Sequence, residues 1–283
     1  MAIRKVGVVG CGLMGSGIAQ TCVQSGYETV ISEVNQQLLD TGMARIHSAW
    51  DMMASKGKLS QGQVDDYRMR LHGTLNLEDF ADCDLVSEAI IENMEEKLRL
   101  FPALDRIVKP DGLLLTNTSS LSATQMGAVT KRPDKVCGLH FFNPVPVMKL
   151  AEMVKTISSS DATIETVKQF ALSLGKTPVL AKDTAGFIVN LLLIPYLTAA
   201  IRMLENGMAS RDDIDTGMKL GCGYPMGPFT LLDYVGLDTT LWAAEAIYEE
   251  YKDPFYAPPP LLRRMVQSGM YGRKSGKGFY DYH

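Results

Sequence analysis

The sequence predicts an α/β fold in which a doubly wound, mostly parallel sheet is followed by an all-helical domain. The chain has 283 residues, enough for two domains with separate cores. In its first part, short runs rich in β-branched residues alternate with helical patterns, which is typical of a parallel sheet. After Asp183 the patterns indicate helices and Gly-Pro-rich turns. We therefore expect one domain over residues 1–183 and an all-helical C-terminal domain over residues 184–283.

The first elements are a strand, a tight turn and a helix in direct succession. Lys5–Val9 is an apolar run that predicts a strand, and small and apolar residues over Gly15–Gln24 predict a helix. A second strand is predicted over Glu28–Ser32 and ends at the acidic Glu33. Over Asn35–Lys56, apolar residues recur at intervals of three and four, which indicates a long helix.

The alternation of strand and helix continues towards Asp183. Further buried strands are predicted at residues 84–89, 113–117 and 136–142, with helices between them at residues 94–108 and 122–129. Beyond Asp183, a helix is predicted to end near Gly207, and residues 224–228 and 257–260 are predicted to be a rigid turn and a loop.

Composition and charge argue against several classes of protein. The chain is 46% hydrophobic and 21% charged, as ordinary globular proteins are. Its net charge is −4 and it has no run dense in Lys and Arg, so we expect no nucleic-acid partner. The most apolar segment, residues 187–204, is interrupted by polar residues such as Asn190 and Arg202, whereas a spanning helix needs about 20 mostly apolar residues. We expect this segment to form a helix buried within the protein or between subunits, and we expect no association with a membrane.

The five cysteines lie far apart and form neither CxxC pairs nor a spacing that suits zinc, so we predict no metal site. They are expected to be small buried apolar residues. The apolar run near the N-terminus breaks at glycines and is too short for a secretory signal. These observations together predict a reducing, cytoplasmic location.

A glycine motif, Gly10-Cys-Gly12-Leu-Met-Gly15, lies between the first strand and the first helix. Glycines there permit a tight turn, close approach of backbone to a pyrophosphate and close packing of helix on sheet. The helix N-terminus offers N–H groups and a positive dipole. The alternative, a glycine turn beside a surface glutamate, is disfavoured by the strand and helix on either side. We predict a Rossmann-type dinucleotide site that includes Gly10, Gly12, Leu13, Met14 and Gly15.

Glu33, at the tip of the second predicted strand, can accept hydrogen bonds from the hydroxyls of the adenosine ribose. A carboxylate at that place would repel the 2′-phosphate of NADP. The predicted cofactor is therefore NAD.

His140 lies at the end of a predicted strand, and Glu152 follows it along the chain. Taken singly, a histidine is more often a hydrogen-bonded structural residue and a glutamate a solvated one. Oxidation of a secondary alcohol, however, needs a base near neutral pH, and histidine suits that task. A carboxylate partner fixes the tautomer of such a base and stabilises its imidazolium form. Ligands of doubly wound sheets bind beyond the carboxyl ends of the strands, where His140 is expected to lie.

These segments resemble the 3-hydroxyacyl-CoA dehydrogenase family along essentially the whole chain. In the first domain the resemblance rests on Gly10–Gly15, Glu88–Glu92 with Lys97, Asn117–Leu121, and Gly138–Lys149 with Glu152. It continues through residues 183–190, 224–229, 233–238 and 274–280.

The resemblance implies NAD-dependent interconversion of an L-3-hydroxyacyl-CoA, most simply 3-hydroxybutyryl-CoA, and its 3-oxoacyl-CoA, as in fatty acid β-oxidation. It makes His140 the general base and Glu152 its orienting partner, and it places Ser119 and Asn190 against the reacting hydroxyl or carbonyl. The positions that match dinucleotide contacts are Glu33, Glu92, Lys97, Ser119, Asn143 and Lys274. Those that match contacts with the coenzyme A substrate are Lys56 and Ser119. A homodimer is implied as well.

Two positions depart from the family pattern. Leu191 stands where the family often has arginine, and Ala49 stands where it often has serine, about two helical turns before Lys56. These differences bear on domain contact and on coenzyme A binding. The base, its partner and the nicotinamide site are unaffected.

Several alternatives remain at the level of sequence. Glu92 and Lys97 could be an ordinary ion pair at a helix start, Asn190 could cap a helix, and Lys56 and Lys274 could be solvated. A dehydrogenase of the same fold could act on a free hydroxy acid or sugar acid. A non-catalytic dinucleotide-binding protein could also keep this fold, although the combination of catalytic residue types argues against it.

Overall fold

The computed structural model describes residues 3–282, which divide into two compact units that meet between Asp183 and Thr184. The first unit contains one sheet. Its strands are β1 (Lys5–Val9), β2 (Glu28–Ser32), β3 (Leu71–Thr74), β4 (Leu85–Glu88), β5 (Leu113–Thr116), β6 (Val136–Phe141), β7 (Leu150–Lys155) and β8 (Thr177–Lys182). Its α-helices are α1 (Leu13–Gln24), α2 (Gln36–Ser55), α3 (Gln61–Arg70), α4 (Met94–Ile107), α5 (Ala123–Ala128) and α6 (Asp161–Ser173).

The eight strands are ordered β3-β2-β1-β4-β5-β6-β7-β8. All neighbours are parallel except β6 and β7, which are antiparallel. The chain runs outward from β1 to β2 and β3 on one side, and β4 then pairs with the other side of β1. The predicted Rossmann-type, mostly parallel sheet is therefore confirmed, and its strand order reverses at β1.

The sheet has an apolar core on each face. Successive strand residues point to opposite faces, so Val8 packs with Ile18 and Trp50 on one side, whereas Val9 packs with Phe101 on the other. Local capping sets the helix starts. The Asn35 side chain, for example, accepts a hydrogen bond from the Leu38 N–H at the start of α2.

The second unit is helical. It contains α7 (Val189–Glu205), α8 (Arg211–Cys222), α9 (Pro228–Val235), α10 (Leu237–Tyr251) and α11 (Pro260–Gln267). The apolar segment from residue 187 forms most of α7, which buries Ile194, Leu197 and Ile201. Within residues 3–282, no helix combines the length and apolar character needed to cross a membrane.

One expectation about the cysteines is wrong. Cys11, Cys22, Cys83 and Cys137 are buried, but Cys222 is exposed. Cys222 is the last residue of α8, a helix that buries only Ile214 and Asp215. Its place on a mostly exposed helix explains the difference.

Candidate active site

The centre of the sheet has the geometry of a ligand-binding crevice. β1 and β4 are parallel neighbours on either side of the reversal in strand order, and such sheets bind ligands beyond the carboxyl ends of these strands. The end of β1 is tied to the segment that follows β4, because the Ala89 N–H donates to the carbonyl of Val9, the last residue of β1, at 2.8 Å.

The glycines of this turn meet different requirements. Gly10 has a φ of +99°, and a Cβ there would lie 2.5 Å from the Ala89 carbonyl oxygen. A Cβ on Gly15 would lie 1.8 Å from the Gly10 carbonyl oxygen. Gly12 differs, because a Cβ there would meet no described protein atom within 4 Å. Protein packing therefore explains Gly10 and Gly15, whereas Gly12 leaves space for a ligand.

That space lies at the N-terminus of α1, where Gly12 is the N-cap residue and makes no side-chain capping bond. Leu13 and Met14 form the start of the helix, and Leu13 is exposed. Backbone N–H groups at such a helix start attract phosphate. The residues present therefore fit the pyrophosphate of a dinucleotide.

Glu33 follows β2 and is held against this turn. Its Oε1 accepts a hydrogen bond from the Cys11 N–H at 2.8 Å, and its Oε2 accepts one from the Val34 N–H at 2.9 Å. Each carboxylate oxygen can accept a further hydrogen bond. Glu33 can thus accept hydrogen bonds from ribose hydroxyls while its two backbone hydrogen bonds hold the carboxylate beside the turn.

His140 and Glu152 meet across the antiparallel pair β6 and β7, where they occupy directly opposed positions. His140 Nδ1 lies 2.7 Å from Glu152 Oε2. His140 is 7% exposed and Glu152 is fully buried. When Nδ1 donates its proton to the carboxylate, Nε2 becomes the basic nitrogen of the ring. The pair has the arrangement of an oriented general base.

Glu92, Lys97 and Ser119 also come together. Lys97 Nζ lies 3.3 Å from Glu92 Oε2, and Glu92 Oε1 accepts a hydrogen bond from the Ser119 N–H at 3.0 Å. Burial alone would raise the pKa of Glu92, but the charge of Lys97 and hydrogen bonds from Thr118 and Ser119 bring this pKa below its usual value. Glu92 is thus an ionised acceptor joined to the Ser119 segment.

The other predicted site residues are distributed over both units. Asn143 is exposed and follows β6, and Lys56 is exposed at the C-cap of α2. In the second unit, Asn190 is partly buried on the first turn of α7. Lys274, also in that unit, is exposed and its Nζ lies 2.6 Å from Asp238 Oδ2.

Two side chains near the site had no predicted role. Asn117, which follows β5, accepts a hydrogen bond from the Phe141 N–H at 2.9 Å and so ties β5 to the strand of His140. Glu88, the last residue of β4, is fully buried and pairs with Lys97. Both residues are polar and follow an apolar run, and this feature could have drawn attention to them.

Comparison with known proteins places the chain among enzymes of one family. The family model described as 3-hydroxyacyl-CoA dehydrogenase, NAD binding domain, matches residues 5–184. The model described as 3-hydroxyacyl-CoA dehydrogenase, C-terminal domain, matches residues 186–282.

Individual relatives match over nearly the whole chain. A probable 3-hydroxybutyryl-CoA dehydrogenase of Deinococcus radiodurans is 46% identical, over 98% of this chain and 100% of the relative. Human mitochondrial hydroxyacyl-coenzyme A dehydrogenase is 44% identical, over 99% of this chain and 91% of the relative. Among solved structures, the (S)-3-hydroxybutyryl-CoA dehydrogenase of Ralstonia eutropha superposes with a TM-score of 0.96 at 41% identity and covers 100% of both chains.

Proposed function

The chain belongs to the 3-hydroxyacyl-CoA dehydrogenase family, and from this membership we propose that it interconverts a short L-3-hydroxyacyl-CoA and the matching 3-oxoacyl-CoA with NAD as cofactor. The similar proteins named 3-hydroxybutyryl-CoA dehydrogenase support a four-carbon acyl chain. The single observation that carries the catalytic part of this proposal is the 2.7 Å contact between His140 and Glu152. His140 lies near the carboxyl end of β6, and doubly wound sheets bind ligands beyond the carboxyl ends of their strands.

NAD, when bound, supplies the hydride acceptor. His140 is the base that takes the proton of the 3-hydroxyl group as the alcohol is oxidised, through Nε2. Glu152 holds the other ring nitrogen and stabilises the imidazolium that forms. In the reverse direction, the protonated His140 donates to the ketone oxygen.

Other residues orient the substrate and the cofactor. By resemblance to the family, Ser119 and Asn190 contact the reacting oxygen, and Lys56 binds the coenzyme A portion. Glu33, Glu92 and the glycine turn bind the dinucleotide, to which the resemblance also assigns the residues Lys97, Asn143 and Lys274. Fixed contacts of this kind lower the barrier by positioning the reactants before the chemical step.

The preference for a coenzyme A thioester is testable by comparing substrates. NADH oxidation is measured with acetoacetyl-CoA, free acetoacetate and a set of sugar acids. Because binding of the remote coenzyme A portion aids the reaction, kcat/KM should be higher for the thioester by at least about 100-fold, or ~2.7 kcal/mol. Equal or higher values for a free acid would support a different dehydrogenase of this fold, and NADH binding without any turnover would support a non-catalytic protein.

A further inference from the structure

A closed ring of hydrogen bonds and ion pairs joins the ends of β4 and β5 to the first turn of α4. Its members are Glu88, Thr116, Thr118, Glu92 and Lys97. On one side of the ring, Glu88 Oε1 lies 2.5 Å from Lys97 Nζ, and Glu88 Oε2 accepts a hydrogen bond from Thr116 Oγ1 at 2.7 Å. Glu88 and Thr116 are fully buried, and Lys97 is 1% exposed.

The other side of the ring reaches the segment that contains Ser119. Thr116 Oγ1 accepts a hydrogen bond from the Thr118 N–H at 3.2 Å, and Thr118 Oγ1 donates to Glu92 Oε1 at 2.5 Å. Glu92 in turn lies 3.3 Å from Lys97, which closes the ring. The same Glu92 oxygen accepts from the Ser119 N–H. Two chains of contacts therefore lead from Glu88 to residues 118 and 119. One passes through Lys97 and Glu92, and the other passes through Thr116.

Glu88 cannot itself contact a ligand. Its carboxylate is fully buried and already accepts from the Ile90 N–H at 2.8 Å, in addition to Lys97 and Thr116. Lys97 lies closer to Glu88 than to Glu92, at 2.5 Å against 3.3 Å, so Glu88 determines where the ammonium group sits. Glu92 is 32% exposed and can still accept hydrogen bonds from a ligand.

We propose that Glu88 is a positioning residue that acts through Lys97 and Thr116 to hold Glu92 and the Ser119 segment in place. The inference rests on the proposed function, in which Glu92 contacts the dinucleotide and Ser119 the reacting group. Residues that contact a ligand are held in the correct geometry by the hydrogen bonds and packing of the residues that support them. Loss of the Glu88 charge frees Lys97 to move onto Glu92 and loosens the Ser119 segment.

The test compares Glu88→Gln and Thr116→Val with a matched control, Asp105→Asn. Asp105 is also a buried carboxylate, lies on α4 as Lys97 does, and pairs with Arg132 at 2.7 Å outside the ring. Its substitution removes a buried ion pair without touching the ring. Thr116→Val keeps every charge and tests the ring if Glu88→Gln does not fold.

Three quantities are measured for each full-length variant: kcat/KM with acetoacetyl-CoA, NADH affinity, and the rate of amide hydrogen exchange. Glu88→Gln should lower kcat/KM with acetoacetyl-CoA about tenfold and weaken NADH binding, and Thr116→Val should lower kcat/KM about threefold. The Glu88→Gln/Thr116→Val double variant should match Glu88→Gln alone, because Thr116 acts through Glu88 and adds nothing once Glu88→Gln has already opened the ring. In ligand-free protein, hydrogen exchange at the Thr118 and Ser119 amides should quicken about tenfold in Glu88→Gln. Asp105→Asn should stay within about twofold of wild type in all three.

Unchanged exchange at Thr118 and Ser119 in both ring variants would overturn the inference, as would equal losses in Asp105→Asn. Failure of the proposed function has a different signature. In that case wild type does not turn over acetoacetyl-CoA, while the exchange rates and the NADH affinity still report on the ring.

Discussion

At the scale of single residues, the carboxylate of Glu33 is fixed by two backbone N–H groups, those of Cys11 and Val34. Its charge would meet the 2′-phosphate of NADP at close range. NAD should therefore be preferred by at least about tenfold, or ~1.4 kcal/mol, and Glu33→Gln should reduce this preference. The ratio of kcat/KM values for the two cofactors measures it.

Glu28→Gln is the matched control for this change. Glu28 begins β2, the strand that Glu33 follows, and removing it alters the net charge equally at the opposite end of the strand. Equal kcat/KM values for NAD and NADP in wild type would contradict the prediction. So would a Glu28→Gln variant that shifts the ratio as much as Glu33→Gln does.

Glu92 predicts a pH dependence. Burial would raise its pKa, and the charge of Lys97 keeps that pKa below its ordinary value, so wild-type Glu92 stays ionised between about pH 5 and pH 8. In a Glu88→Gln/Lys97→Met variant the buried ion pair is removed as a unit, and the pKa of Glu92 rises. NADH affinity, measured by fluorescence, should then weaken as the pH falls towards about 5.

The control for this titration is the same variant with Glu92→Gln added, which lacks the titrating carboxylate and should lose the extra pH dependence. A slope that persists without Glu92 would assign the titration to another group. A wild-type-like profile in the double variant would show that Lys97 does not set the pKa of Glu92.

At the level of secondary-structure elements, the turn between β1 and α1 contains glycines that the fold requires and one, Gly12, that protein packing does not require. A methyl group on Gly12 meets no described protein atom within 4 Å. Gly12→Ala should therefore fold, at a capping cost of at most about 1 kcal/mol, yet weaken NADH binding. Thermal unfolding and fluorescence titration measure the two effects.

Gly62→Ala, in α3, is the control, because its added methyl group is also without contacts. It should leave NADH affinity unchanged. Gly15→Ala should instead disturb the turn, since its Cβ would overlap the Gly10 carbonyl. A Gly12→Ala variant with wild-type NADH affinity would refute the assignment of this turn to the dinucleotide.

The sequence predicted the central strands better than the outer ones. β1 and β2 have the predicted bounds, Lys5–Val9 and Glu28–Ser32, because each is a short run with β-branched residues that is buried at four of its five positions. β3, β7 and β8 were not predicted. β3 is a short edge strand with Gly73, and β8, at the other edge, buries only Ala181 and contains Pro178.

The missed strand β7 matters most for the site. Glu152 interrupts the apolar pattern of β7, so periodicity alone does not predict this strand, whereas the family resemblance identifies Glu152 as the partner of His140. Only the antiparallel register of β6 and β7 shows how residues 12 apart in sequence come to face each other. For the same reason, the contacts of Glu88 depend on three-dimensional pairing that periodicity does not encode.

At the scale of the whole molecule, the second unit exposes large apolar side chains. Leu192 on α7 is 73% exposed, Tyr234 on α9 is 51% exposed, and Trp242 on α10 is 60% exposed. Exposed apolar groups of this size favour association. We infer a homodimer, so light scattering at micromolar concentration should give at least twice the 31.1 kDa of one chain. A particle of 31.1 kDa would contradict this inference.

We propose that His140 and Glu152 act as one catalytic unit, and a double-mutant cycle measures whether their contributions to turnover are coupled. Turnover of acetoacetyl-CoA with NADH is measured for wild type, His140→Gln, Glu152→Gln and the double variant, with His72→Gln, an exposed histidine on β3, as control. We predict that His140→Gln lowers kcat by about 10² to 10⁴ with little change in NADH affinity. Glu152→Gln should also lower kcat, and the double variant should be far less impaired than the product of the two single losses. Near-normal turnover in His140→Gln, or single losses that simply multiply, would show that another group accepts the proton or that the two residues act independently.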